Sequence, residues 1–167
     1  MKFIILLIFF LSKISKIVSR KRSFIKQEPT KSNLYVSVDD ILVSIKINGN
    51  EFLKHEEHRG WRTSYHYQLG LLPGDILSIT GRNNNNDRNN RNNPAHIIGT
   101  LHFQSPEGRS IIYNTDDRNW ICDGETPLNQ GICPHGCFWK GIDKKVMSIW
   151  GRRREGTTTC KFTIPCD

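Results

Sequence analysis

Alternation of apolar and polar positions is clearest between Asp39 and Thr80. After Asp39-Asp40, the positions Ile41, Val43, Ile45 and Ile47 fall on one face, and Ser44 and Lys46 on the other. A period of two predicts a strand with one buried face. Asn48-Gly49 follows at once and predicts a tight hairpin, because both residues tolerate the positive φ such a turn requires. Glu51-Phe52-Leu53 should then fold back on the first strand. The aromatic stretch Tyr65-His66-Tyr67-Gln68-Leu69 reads as a loop. In Leu72-Pro73-Gly74-Asp75, Pro and Gly suit the central pair of a type II turn. Ile76 to Thr80 is the next strand.

The same pattern recurs on both sides. Leu34, Val36 and Val38 alternate with Tyr35 and Ser37 as a first core strand. Ile97 to Phe103 is apolar on much of both faces, which predicts a central strand in which His102 is structural. Ser105-Pro106-Glu107-Gly108 turns the chain, and Ser110 to Tyr113 returns it. Val146 to Trp150 is strand-like, and Trp139, Trp150 and Phe138 add aromatic surface. Cys160, Phe162 and Ile164 share one face of a last strand. Many short strands separated by turns, with few helix signals, predict an all-β sandwich.

The ordered series Asp39-Asp40, an alternating strand, Asn48-Gly49, Trp61 and Leu72 to Ile79, set against the pattern Leu-x-Pro-Gly-Asp-x-Ile-x-Ile, resembles the galactose-binding-domain-like modules. Ile97 to Phe103 and the Asp-x-x-Trp element of Asp117-Arg118-Asn119-Trp120 extend the resemblance over roughly Leu34 to Ile164. It implies a jelly-roll-like antiparallel β-sandwich with long loops. It says little of the ligand, since such modules host many functions.

Composition adds an address. Lys2 precedes nine apolar residues, Phe3 to Leu11. That run is shorter than the roughly 20 residues needed to span a bilayer, and it reads as a signal peptide over residues 1–19. Cleavage after Ser19 would remove three lysines and no acids, so the charge of +8 would fall to +5. A basic and polar linker is expected over 20–33 and one domain over 34–167, secreted and free of the membrane once the signal is removed. Eight Asn, three Arg and one Asp crowd Arg82 to Asn93. Such a segment has nothing to bury, so residues 83–93 read as an Asn-rich disordered loop.

Sugars need planar hydrogen-bond partners and an aromatic surface for their C–H face. The loop carrying Asp116, Asp117 and Asn119 and ending in Trp120 supplies both, and Trp61 follows a Gly in a polar stretch. Equally, Asp and Asn build turns and Trp fills cores. Trp120 and Cys122 share a strand face, which favours the core for Trp120.

All five cysteines lie in the C-terminal third. In a secreted chain they predict disulfides. Cys122 and Cys160 sit at strand positions and are paired. Cys133 and Cys137 could close a tight loop, or join His135 and Cys166 around zinc, although that spacing matches no common zinc module. Cys166 is left free or links a homodimer. His55-Glu56-Glu57-His58 lacks zincin spacing and reads as a solvated loop.

No Gly-x-Ser-x-Gly, zincin motif or placeable carboxylate pair is present, so no catalytic residue, metal or cofactor is assigned. The moderate charge and the signal argue against nucleic acid as partner. The expected function is a secreted, non-catalytic binding module for carbohydrate or another acidic or polar extracellular polymer. The alternative is an extracellular structural or adhesive matrix protein cross-linked through disulfides.

Overall fold

The computed structural model describes residues 27–53, 56–57, 63–84, 95–132, 139–152 and 156–166. The signal peptide, Trp61, Cys133, Cys137 and most of the Asn-rich segment lie outside the described residues. Those described form eleven strands: β1 Thr30–Val38, β2 Ile41–Ile47, β3 Asn50–Glu51, β4 Tyr65–Leu71, β5 Ile76–Asn83, β6 Ile97–Gln104, β7 Ser110–Asn114, β8 Trp120–Cys122, β9 Leu128–Ile132, β10 Met147–Trp150 and β11 Gly156–Thr163. All pairings are antiparallel, in two packed sheets. Sheet A runs β4-β1-β6-β10-β9, and β7 pairs with the later half of β6. Sheet B runs β3-β2-β5-β11-β8. Successive strands cross repeatedly between the layers, in jelly-roll-like fashion. No helix among the described residues is long and apolar enough to cross a membrane.

The turns form as their chemistry requires. Asn48 and Gly49 have φ of 52° and 82°, and Phe52 N donates to Ile45 O at 2.8 Å, closing the β2–β3 hairpin. Gly74 at φ 87° completes the Pro-Gly turn. Between the layers, Leu34, Val36, Leu101 and Phe103 of sheet A meet Leu77, Ile79 and Phe162 of sheet B. Gly81 lets the layers approach closely: a Cβ there would stand 2.6 Å from Val38 and 3.0 Å from the Trp150 ring.

Several expectations change. The aromatic stretch from Tyr65 is strand β4, because Tyr65, Leu69 and Leu71 alternate into the core. β1 begins at Thr30, inside the expected linker: Thr30 to Asn33 pair with Leu71 to Gln68, and Ser32 is buried. A register shift between Leu42 and Ser44 breaks the simple alternation of β2, so that Leu42 joins Ile45 in the core and Val43 is half-buried. Asn83 is not part of the loop; it is buried at the end of β5, opposite Gly156. Trp150, expected to add surface, is wholly buried.

Asp39 and Asp40 carry the chain from sheet A to sheet B. Asp40 has φ of 60° and accepts from Asn84 N at 2.7 Å. Asp39 is buried, and burial, reinforced by the Asp40 carboxylate, raises its carboxyl from 3.8 to about 6. Between these values the folded chain holds a proton that the unfolded chain has released. Stability from this group is therefore complete below pH 3.8 and is lost as pH rises towards about 6. Asp39→Asn should abolish that slope and stabilise above pH 6 by up to about 3 kcal/mol. Urea midpoints of both proteins from pH 4 to pH 7 measure it, and equal slopes would show that Asp39 is not the titrating group.

Candidate functional site

The turn from β7 to β8 is anchored by Thr115. Its Oγ1 donates to Met147 O at 2.7 Å and accepts from Gly99 N at 3.1 Å. Beyond it, Asp116 is occupied by the turn itself. Asp116 Oδ1 accepts from the amides of Arg118 at 3.0 Å and Asn119 at 2.7 Å, and Oδ2 accepts from Asn119 Nδ2 at 2.7 Å. Asp117 accepts from Asn129 Nδ2 at 3.0 Å. These two acids shape the loop in the way short polar side chains do.

Trp120 does not present a stacking face to solvent. It is 3% exposed, its ring lies 5.3 Å from Phe162 at 17°, and Nε1 donates to Asn114 O at 3.1 Å. This is the core reading of the residue. Cys122 and Cys160 are directly opposed on β8 and β11 and form the expected disulfide. Cys166 is free and exposed.

Asn119 is the predicted site residue that faces a cavity. On the outer face of sheet B it lines a space of about 270 Å³ together with Ile76, Ile121, Lys161, Thr163 and Pro165. Register assembles this set. Ile121 pairs with Lys161, and Thr163 pairs with Ile76, so all four project to the same side of the sheet. Ile121 is 52% and Ile76 is 41% exposed, so the cavity wall includes apolar surface open to water. Lys161 is exposed and makes no ion pair with a described residue. Reading the sequence missed Ile121 and Lys161. The available signal was an Ile standing between Trp120 and Cys122, on the face opposite to both.

The outer face of sheet A holds a different cluster. Tyr35 stacks on His66 at 4.5 Å and meets His102 edge-on at 5.5 Å. His66 Nε2 lies 3.0 Å from Asn33 Oδ1, and His102 Nε2 donates to Gly141 O at 3.4 Å. The segment from Trp139 to Val146 lies here, where Ile142 and Val146 cluster with Ile98 and with half-buried Tyr35 and Trp139. Asp143 N donates to Thr100 Oγ1 at 2.9 Å and fastens the segment to β6. His102 thus has the structural role expected of it, and Tyr35 and Trp139 are engaged in packing.

Among the described residues no group of three or more His, Cys, Asp or Glu could hold a metal ion. His55 and His58 lie outside the described residues, while Glu56 pairs with Arg82 at 2.7 Å and Glu57 bridges Leu42. Comparison with protein-family models, curated proteins and solved structures gives no match. Fold and site together define a two-layer β-sandwich with a solvent-facing cavity, part apolar and part polar, on one sheet.

Proposed function

We propose that this chain is a secreted, non-catalytic, lectin-like module that binds carbohydrate in the cavity beside Asn119. The carrying observation is the pairing of exposed Ile121 and Ile76 with Asn119, Thr163 and Lys161 around one opening. A pyranose has an apolar C–H face and a rim of hydroxyls. The isoleucines offer the first a dry surface, and the amide, hydroxyl and ammonium offer partners to the second. The Lys2-led apolar run, the Cys122–Cys160 bridge and the galactose-binding-like series of motifs support an extracellular setting for such a module. Each exposed hydrogen bond contributes only about 0.5–1.5 kcal/mol net, so affinity per site is modest. Linking copies through Cys166 would raise it.

A glycan array on the mature, oxidised protein tests the proposal. Ile121→Asp and Asn119→Ala should each lower binding to the array's best ligand by roughly tenfold, the effect of about 1.4 kcal/mol. Both positions are exposed, so melting temperatures should hold. An array without binders, or binders indifferent to both substitutions, would defeat it. The exposed thiol of Cys166 favours the second reading, a disulfide-linked matrix protein, and a non-reducing gel showing only monomer would count against that.

A further inference from the structure

The cavity beside Asn119 is one end of a longer feature. Lys161 is paired on its far side with Ser78 of β5, and Ser78 is paired with Lys46 of β2. Directly opposed residues project to the same side, so Ile121, Lys161, Ser78 and Lys46 form one row across four strands of sheet B. Lys161 and Lys46 stand two strands apart, which places their backbones roughly 10 Å from each other. Ser78 between them is 7% exposed. The adjoining row is Thr159, Thr80 and Ser44, in which the two threonine hydroxyls lie 2.9 Å apart.

The described charges on sheet B and around its ends are unevenly matched. Arg82 is held by Glu56 at 2.7 Å, and Arg152 by Glu125 at 2.5 Å. Asp75 accepts from Asn48 Nδ2 and from Leu72 N, both at 2.7 Å. Asp123 accepts from Thr159 N at 2.9 Å and Thr158 Oγ1 at 3.1 Å. Glu51 stands opposite Lys46 at the β3 edge, with no ion pair between them. Between Lys46 and Lys161 the row contains only a serine. Two ammonium groups that make no ion pair with a described residue thus flank a serine in a row that runs into the cavity beside Asn119.

We infer that the ligand is a linear acidic glycan lying across the strands of sheet B, its carboxylate or sulfate groups on Lys46 and Lys161. The inference rests on the carbohydrate reading of the cavity and narrows it to a substrate class. A chain bearing anions on alternate sugars can meet both lysines while one ring rests on Ile121 and Ile76. The half-buried threonine hydroxyls of the adjoining row, Thr80 and Thr159, lie beside this path. A neutral glycan can accept from the ammonium groups through its hydroxyls but brings no negative charge to match theirs.

The test uses the mature, oxidised protein with three polymers: polygalacturonate, dextran sulfate and unmodified dextran. Binding to at least one acidic polymer is expected, and the pair shows whether carboxylate or sulfate is preferred. That binding should weaken by about tenfold or more from roughly 0.05 to 0.5 M NaCl, because exposed charge pairs are screened. The double variant Lys46→Gln/Lys161→Gln should lose about tenfold in affinity. A charge-matched control, Lys144→Gln/Lys145→Gln, alters exposed lysines between Asp143 and Val146 and should bind as the unaltered protein does. Equal weakening in both doubles would assign the effect to net charge and overturn the track. Binding to duplex DNA that matches the acidic polymers and depends on Lys46 and Lys161 would overturn the glycan assignment. Array glycans that need Ile121 and Asn119 but not the two lysines would overturn the acidic class and leave the carbohydrate reading standing. No binding to any glycan would remove both.

Discussion

Cys122→Ala/Cys160→Ala is expected to destabilise the protein by about 4 kcal/mol. The two residues are separated by 38 positions, and cross-linking a loop of that size removes roughly this much chain entropy from the unfolded state. Edge position adds to the effect. β8 is three residues long and has β11 as its partner in the sheet, so the bridge staples a strand with few other fastenings. Alanine is the right replacement, because both sites are buried and serine would leave hydroxyls without partners. Urea unfolding of the oxidised, reduced and doubly substituted proteins measures the effect. The last two should agree, and a loss under about 1 kcal/mol would mean that the bridge leaves the unfolded ensemble little changed.

Trp120→Ala should cost about 3–5 kcal/mol, the usual range for truncating a buried large aromatic. The ring is almost wholly enclosed, stacked on Phe162, and its Nε1–H is satisfied by Asn114 O. Removing it opens a cavity beneath β8 and β11 and frees that carbonyl. Trp120→Phe keeps most of the volume and loses the hydrogen bond, so it should cost less. Because Trp120 and the disulfide share β8, the two losses should not add, and a double-mutant cycle should show coupling. A Trp120→Ala protein of unchanged stability that no longer binds glycan would restore the surface reading of this residue.

The local parts of the fold were legible because their causes are local. The alternation at Leu34, Val36 and Val38, the positive φ of Asn48-Gly49, the Pro73-Gly74 turn and the doubly apolar run from Ile97 all act over a few residues. The disulfide was legible for the same reason, since Cys160 and Cys122 each sat among inward-facing strand neighbours. Tyr65 to Leu71 misled because exposed His66 and Gln68 make an edge strand look like a loop. Asn83 misled because its composition belongs to the Asn-rich run while its place belongs to β5. The β2 irregularity has no mark in the residue pattern at all.

The candidate site divides the same way. Asp116, Asp117, Asn119 and Trp120 carry the hydrogen-bonding and aromatic chemistry a sugar needs, but residue type does not say which way a side chain is spent. The turn takes both acids, the core takes the indole, and Asn119 alone of the four lines the cavity. Lys46, Ser78, Lys161 and Ile121 are scattered through the chain and become one row only when β2, β5, β11 and β8 align in register. By itself the sequence determined the all-β class, the turns and the strand faces, because side-chain periodicity and backbone preference are properties of short segments. Which strands became neighbours, and so which lysines share one face, was decided only by the tertiary structure, because pairing joins segments that no local pattern connects.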